Sequence, residues 1–137
     1  MTTTEALTQG AHHIGLTVPD LPKTKAFFIR SLGFAQVGEI ADYPAVFLSD
    51  GTTMITLWQA ENPEAATQFD RKNVIGLHHF ALKVESAEVL DTLYQSLSEN
   101  DDVGIEFAPE FLGDGPAKHL MITIPGGIRM ELITLGA

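Results

Sequence analysis

HHIGLTVPDLPKTKAFF, residues 12–28, returns as HHFALKVESAEVLDTLY at residues 78–94. Both copies open on a double histidine and then alternate apolar with polar residues as far as Val18 and Val84. A period of two marks a half-buried strand. Ile14, Leu16 and Val18 share one face, as do Phe80, Leu82 and Val84. His13, Gly15 and Thr17 lie opposite in the first copy, and His79, Ala81 and Lys83 in the second.

Each strand then meets a helix start. Asp20 can cap the first helix, with Pro22 allowed in its opening turn, and Ser86 can cap the second. Leu90, Leu93, Tyr94 and Leu97 form an i, i+3, i+4, i+7 stripe, and Phe27, Phe28 and Leu32 suggest its counterpart. Gly33 is a natural helix stop. Three short strands are predicted in the rest of each half, at 36–41, 45–48 and 53–58, then at 104–108, 119–124 and 129–134. Asp50-Gly51 and Gly126-Gly127 are turn signals before the last strand of each half.

Each half therefore reads β-α-β-β-β, and the predicted fold is α+β. One domain is expected, built from module 11–60 and module 76–135 with linker 61–75 between them. The copies are 66 residues apart at the first strand and 76 apart at the last, which puts about ten extra residues near 101–118. Two such modules make a cupped mixed sheet whose non-helical faces line a shared groove. The total length of 137 residues suits one domain of this kind.

Eighteen acidic against eight basic residues give a formal charge of −10, which argues against nucleic acid or an anionic membrane surface as partner. With no cysteine, disulfides, thiolate metal sites and cysteine nucleophiles are excluded. Residues 1–10 have neither a basic start nor an apolar run, so they read as a loose arm rather than a secretory signal. A soluble cytoplasmic protein acting on a small molecule is expected.

The five histidines carry most of the remaining information. His13 and His79 occupy equivalent groove-facing places. On the last strand Met130 and Leu132 continue the core face, which sends Arg129, Glu131 and Ile133 to the groove. Two imidazoles and a carboxylate form a facial ligand set with open positions, suited to Fe(II) or Mn(II) first, and also to Zn(II), Ni(II) or Co(II). A lone histidine at a strand start is ordinarily a polar edge residue. Recurrence of the doublet, and a carboxylate flanked by Met130 and Leu132, favour metal over that reading. His12 and His78 fall on the opposite parity, as edge residues or as donors behind the ligands.

An offset of 76 makes Ile55 the counterpart of Glu131, so at most three of four symmetric ligands are present. The same offset pairs His119 with Tyr43, and either is a candidate to move protons. His119 reads equally well as a solvated residue at a loop exit. Phe47, Ile55, Leu57 and Ile133 are expected to wall the groove, with Met121 on the His119 face and Thr53, Arg129 and Lys83 as polar contacts. LGDGPAKH at 112–119 lacks the Lys-Ser/Thr ending of a phosphate loop and reads as a mobile lid.

With HHIGLTVPDLPKTKAFF and LGF, GLHHFALKV and PGGIRMELI on the page, the chain resembles the vicinal oxygen chelate superfamily, also called the glyoxalase/bleomycin resistance/dioxygenase superfamily. The resemblance covers about residues 11–135. It implies paired βαβββ modules cupped around a divalent metal, often in a homodimer, with chemistry on vicinal oxygens of a substrate. Ligands at His13, His79 and Glu131 with none at residue 55 resemble the extradiol dioxygenase and fosfomycin-resistance pattern. A glyoxalase I-type lyase or epimerase would normally place Glu or Gln at that position. A tyrosine common ten residues before the glutamate is replaced by Met121, and His119 could stand in for it. The reading is a metal-dependent enzyme, with ring-cleaving dioxygenation preferred over lyase or isomerase chemistry on the ligand count. Its alternatives are a metal-free ligand-sequestering protein of the bleomycin-resistance kind and a fosfomycin-type thiol transferase.

Overall fold

The computed structural model describes residues 5–136. The first half forms β1 (His13–Val18), α1 (Leu21–Ala26), β2 (Ala35–Ile40), β3 (Ala45–Ser49) and β4 (Met54–Gln59). The second forms β5 (Phe80–Lys83), α2 (Ala87–Ser98), β6 (Gly104–Phe111), β7 (Lys118–Thr123) and β8 (Arg129–Thr134). The two predicted modules form two four-stranded mixed sheets, ordered β1-β4-β3-β2 and β5-β8-β7-β6, and the fold is α+β as expected. In each, the first and last strands run parallel and the other neighbours antiparallel. Among the described residues no helix is long and apolar enough to cross a membrane.

Both helix starts are as the sequence predicts. The Asp20 carboxylate accepts the Lys23 N–H at 3.1 Å, and the Ser86 hydroxyl oxygen accepts the Val89 N–H at 3.2 Å. Leu90 and Leu97 are fully buried on α2. After α1 the chain widens into a π-helical turn, Phe27–Ser31, before Gly33 ends it at φ +78°. In that turn the successive rings of Phe27 and Phe28 both reach the core, 5.2 Å apart and edge to face.

The apolar faces of both halves merge into one core, from Leu16, Leu48, Ile55 and Leu57 across to Leu82, Leu120, Met130 and Leu132. Burying each such side chain contributes roughly 1.5–3 kcal/mol. The Thr24 hydroxyl, fully buried, crosses between the halves to donate to the Pro125 carbonyl at 3.2 Å. Phe69 of the linker packs on this core, and with Ile75 and Leu77 it lines a cleft of about 430 Å³ beside β1. Residues 5–12 add no strand, and the beginning of the expected arm lies outside the described residues.

The ladders correct the offset between copies. Leu16 stands opposite Leu57 and Leu82 opposite Leu132, so a shift of 66 grows to 75 rather than 76. The one-residue difference reverses the parity of β4. Ile55 and Leu57, expected in the groove, are fully buried in the core, and Met54, Thr56 and Trp58 take the groove face. Thr56, not Ile55, is the counterpart of Glu131. Likewise Phe47 matches Met121, and Ala45, not Tyr43, matches His119.

Both halves also share one irregularity. The β2–β3 ladder slips between Gln36 and Gly38, and the β6–β7 ladder slips between Ile105 and Phe107. Val37 and Glu106 are thus the extra residues of equivalent β-bulges.

Candidate functional site

β8 delivers Glu131 to the groove side of the second sheet, and its neighbours bring imidazoles to it from two directions. His79, just before β5, places Nε2 3.2 Å from Oε1 of Glu131. His119 on β7 places Nδ1 2.6 Å from Oε2. Both His119 and Glu131 are 9% exposed. A carboxylate this buried requires partners, and here each oxygen has one. The His119 ring rests on Phe107 at 4.9 Å between centroids, and its Nε2 lies 3.8 Å from the exposed carboxylate of Glu110. Met121 is buried on the same face, directly across from Glu131.

Arg129 was expected to reach substrate, but most of its guanidinium is already committed. Nε and Nη2 donate to the two oxygens of Glu106 at 2.8 and 2.7 Å, and Arg71 of the linker donates to the same carboxylate at 3.0 Å. The bulge makes this pair. In an unbroken strand Glu106 and Phe107 would face opposite ways, whereas here one binds Arg129 and the other stacks on His119. Arg129, chiefly by hydrogen bonding, holds the Glu106 carboxyl at about 2, below its ordinary 4.5. A depressed carboxyl stabilises the fold above its unfolded value and ceases to do so as pH falls through the folded one. The stability difference between the wild-type protein and Glu106→Gln, followed by thermal melts, should therefore hold at neutral pH and close between about pH 4.5 and about 2.

The histidine doublets repeat one contact. His12 and His13 face each other Nδ1 to Nδ1 at 2.9 Å, and His78 and His79 at 2.8 Å. His78 Nδ1 also lies 3.3 Å from Nη1 of Arg129. Desolvation first, and then the Arg129 charge, lower the His78 pKa from its ordinary value. So His78 is the donor or acceptor behind His79 rather than a mere edge residue.

His13 belongs to the other sheet and makes its side-chain contact with His12, not with Glu131. Among the described residues no three of His, Cys, Asp and Glu converge on a common point suited to a metal ion. His79 and His119 flank the Glu131 carboxylate from its two sides. Thr56, in the place of a fourth ligand, has its hydroxyl oxygen bonded by Trp58 Nε1–H at 2.8 Å. Gly15 makes room for that arrangement, because a Cβ there would stand 3.0 Å from the Thr56 hydroxyl and 3.4 Å from the indole nitrogen. Phe47 lies on the groove face of the first sheet, 6.1 Å from Trp58 between ring centroids. Tyr43 is exposed in the turn before β3, its ring 4.6 Å from that of Trp58 on the first sheet, whereas Glu131 is carried by the second. Thr53 closes the turn with Asp50, where its N–H donates to the Asp50 carboxylate at 2.7 Å, and it lines a cleft with Ala81 and Lys83.

Glu106 and Arg71 are the polar residues that sequence reasoning missed. Period-two alternation carries no sign of a bulge, and the linker has no period at all. Only the isolated glutamate between Ile105 and Phe107 hinted at a polar demand inside that strand.

Comparison with known proteins agrees with this architecture. The model of the Glyoxalase/Bleomycin resistance protein/Dioxygenase superfamily matches residues 10–132, and the chain belongs to that superfamily. Mouse mitochondrial methylmalonyl-CoA epimerase is 33% identical over 110 residues, 72% of this chain. The chain spans 61% of that relative's length. A 2-epi-5-epi-valiolone epimerase from Actinomyces sp. is 28% identical over 148 residues, covering 92% of this chain and 79% of that protein. The fold matches a glyoxylase/bleomycin resistance protein/dioxygenase domain from Frankia sp. EAN1pec with a TM-score of 0.79 at 22% identity, over 93% of this chain and 92% of that one.

Proposed function

We propose that this protein is a divalent-metal-dependent enzyme that inverts a carbon centre beside the vicinal oxygens of a small substrate, as an epimerase or isomerase. The observation that carries this reading is the 3.2 Å approach of His79 Nε2 to Glu131 Oε1. Nitrogen and oxygen donors about 2.1 Å from one ion and at right angles to each other lie about 3 Å apart, so the pair already fits adjacent ligand positions. An imidazole and a carboxylate suit Fe(II), Mn(II), Zn(II), Ni(II) and Co(II) alike. His79, Glu131 and His13 would hold the ion. When bound, it supplies Lewis-acid polarisation of the substrate oxygens.

His119 handles the proton. If its Nδ1–H donates to Glu131, the neutral ring keeps its lone pair on Nε2, the atom that takes the proton from one face of the substrate carbon, while solvent water on the opposite face returns one and so inverts the centre. Met121 and Phe107 exclude water around that ring. Epimerase names among the relatives favour this reaction over ring cleavage. Ring cleavage remains the second reading, because neither Ile55 nor Thr56 supplies a fourth ligand. Incubating the metal-replete protein with a methylmalonyl thioester in deuterated water separates the two. Deuterium at the carbon between the carbonyls supports epimerisation. Oxygen uptake with a catechol, and no deuterium with the thioester, would move the assignment to dioxygenation.

A second copy of the chain supplies His13 in this reading. β1 and β5 each have a ladder neighbour on one side only, and their groove-facing Gly15, Thr17, Ala81 and Lys83 are exposed. Tyr43 and Phe47 would arrive with the same sheet. Chains carrying His13→Ala and His79→Ala should each be inactive alone. Refolded together they should regain about a quarter of wild-type activity, since half the dimers are mixed and each of those holds one intact site. No recovery would place the whole site within one chain.

A further inference from the structure

We propose that the first sheet is the recognition half of the groove, a wall of Trp58, Phe47 and Tyr43 on which a planar, uncharged aryl group of the substrate stacks. The inference rests on the metal-centre reading only for where the substrate's vicinal oxygens lie. The two halves divide the groove unequally. At the positions where the second sheet carries Glu106, His119, Arg129 and Glu131, the first carries Val37, Ala45, Met54 and Thr56. Among the described residues no Asp, Glu, Lys or Arg stands on the groove face of β1 to β4.

Two glycines lay the rings across that face. A Cβ on Gly38 would stand 3.0 Å from the Phe47 ring, and one on Gly15 would stand 3.4 Å from the indole nitrogen of Trp58. Each ring thus lies over the backbone of the neighbouring strand, in space that another residue would fill with its own side chain. The indole is fixed twice more. Its N–H donates to the Thr56 hydroxyl at 2.8 Å, and the Tyr43 ring meets it edge to face at 4.6 Å. Its one polar atom is therefore spent, and what Trp58 offers a ligand is π-surface. Trp58 and Phe47 are only half-buried and Tyr43 is 59% exposed. Clustered apolar surface left open in this way marks a binding site.

The chemistry of the wall selects its ligand. The Tyr43 and Phe47 rings stand at 81° and 52° to the indole, so an incoming ring finds both edges and faces, the contacts that aromatic pairs prefer. An anion meets no cationic side chain on this face. A cation would be drawn to the ring faces, but it has no carboxylate there and would share the groove with a divalent ion. A neutral aryl group suits the wall on both counts.

Trp58 is the only tryptophan of the chain, so its fluorescence reports this wall alone. Mandelamide, hexahydromandelamide and lactamide share a hydroxyl beside a carbonyl and differ in carrying a phenyl, a cyclohexyl or a methyl group. In protein stripped of metal by a chelator, mandelamide should shift the Trp58 emission. It should bind about 3–10-fold more tightly than hexahydromandelamide, with lactamide weakest. Phe47→Leu, which keeps an apolar wall and removes one ring, should bring the phenyl and cyclohexyl affinities together. The comparison of probes on the wild type needs no variant to fold. Equal phenyl and cyclohexyl affinities there would overturn the proposal, as would tighter binding of tetramethylammonium than of mandelamide. So would an emission that ignores mandelamide and shifts only on dilution, which would give this face to a second copy of the chain. Added zinc should tighten all three probes through their shared oxygens. If zinc changes nothing while the phenyl preference holds, the aryl wall stands and the metal reading falls.

Discussion

Glu131→Gln is expected to abolish metal retention and activity together while leaving a folded protein. The amide keeps the size of the side chain, and its oxygen can still accept from His119 Nδ1, so the buried cluster survives. Its stability should stay within about 1–2 kcal/mol of wild type, the range for one altered buried hydrogen bond. Metal affinity should fall by more than about 100-fold, beyond what loss of an outer hydrogen-bond partner costs. Elemental analysis of protein purified without a histidine tag, alongside a thermal melt, measures both quantities. One stoichiometric ion retained by the variant would remove Glu131 from the ligand set. An unfolded variant would mean that the carboxylate holds the sheet together rather than serving chemistry, and Glu131→Asp would then serve as the retained-charge control.

The second large effect separates two adjacent residues of β4. Ile55→Glu should not yield a folded protein at neutral pH, whereas Thr56→Glu should fold. Ile55 is fully buried in the common core, and an unpaired carboxylate there costs several kcal/mol out of a total stability of about 5–15. Thr56 points to the groove, where a longer side chain must displace the Trp58 indole at a cost of roughly 1–3 kcal/mol. Circular dichroism and denaturant midpoints distinguish the outcomes. Thr56→Glu would also place a carboxylate at the position equivalent to Glu131, and a gain in metal affinity would follow if the two sheets come together around one ion. A folded Ile55→Glu with a normal midpoint would show that the strand register is shifted by one residue.

That register is where reading the sequence alone reached its limit. The doublets, both capped helices and the parity of β1, β5 and β8 were legible, because each combines a period with a neighbouring punctuation residue, whereas β7, buried at four consecutive positions, left His119 open. Met130 and Leu132 placed Glu131 in the groove without any structure. β4 was not legible in the same way. MITLW is apolar at nearly every position, so its parity came only from an offset between the copies, and one residue of error turned the strand over. The clusters behind Glu131 depend on contacts between distant segments. His119 to Glu131 follows from alternation, but Glu106 to Arg129 requires a bulge, and Arg71 reaches it from a linker without periodic structure. Ile55, Leu57, Tyr43 and Arg129 were accordingly assigned to substrate or proton transfer, whereas the structure uses the first two for packing, stacks the third on Trp58 and ties the fourth to Glu106.

Because the helix-facing sides of β1, β3, β4, β5, β7 and β8 meet in one common core, the opposite side is largely released from the task of holding the chain folded. Along β1 that side is His13, Gly15 and Thr17, all exposed. A change of ligand, base or pocket wall there leaves the packing beneath it intact. Such a division lets one architecture drift between catalysts and binders through a handful of substitutions, which is the breadth that the superfamily's own name records. In this chain the two halves themselves differ in this way: the same bulge and strand positions hold Val37 and Met54 in one and Glu106 and Arg129 in the other.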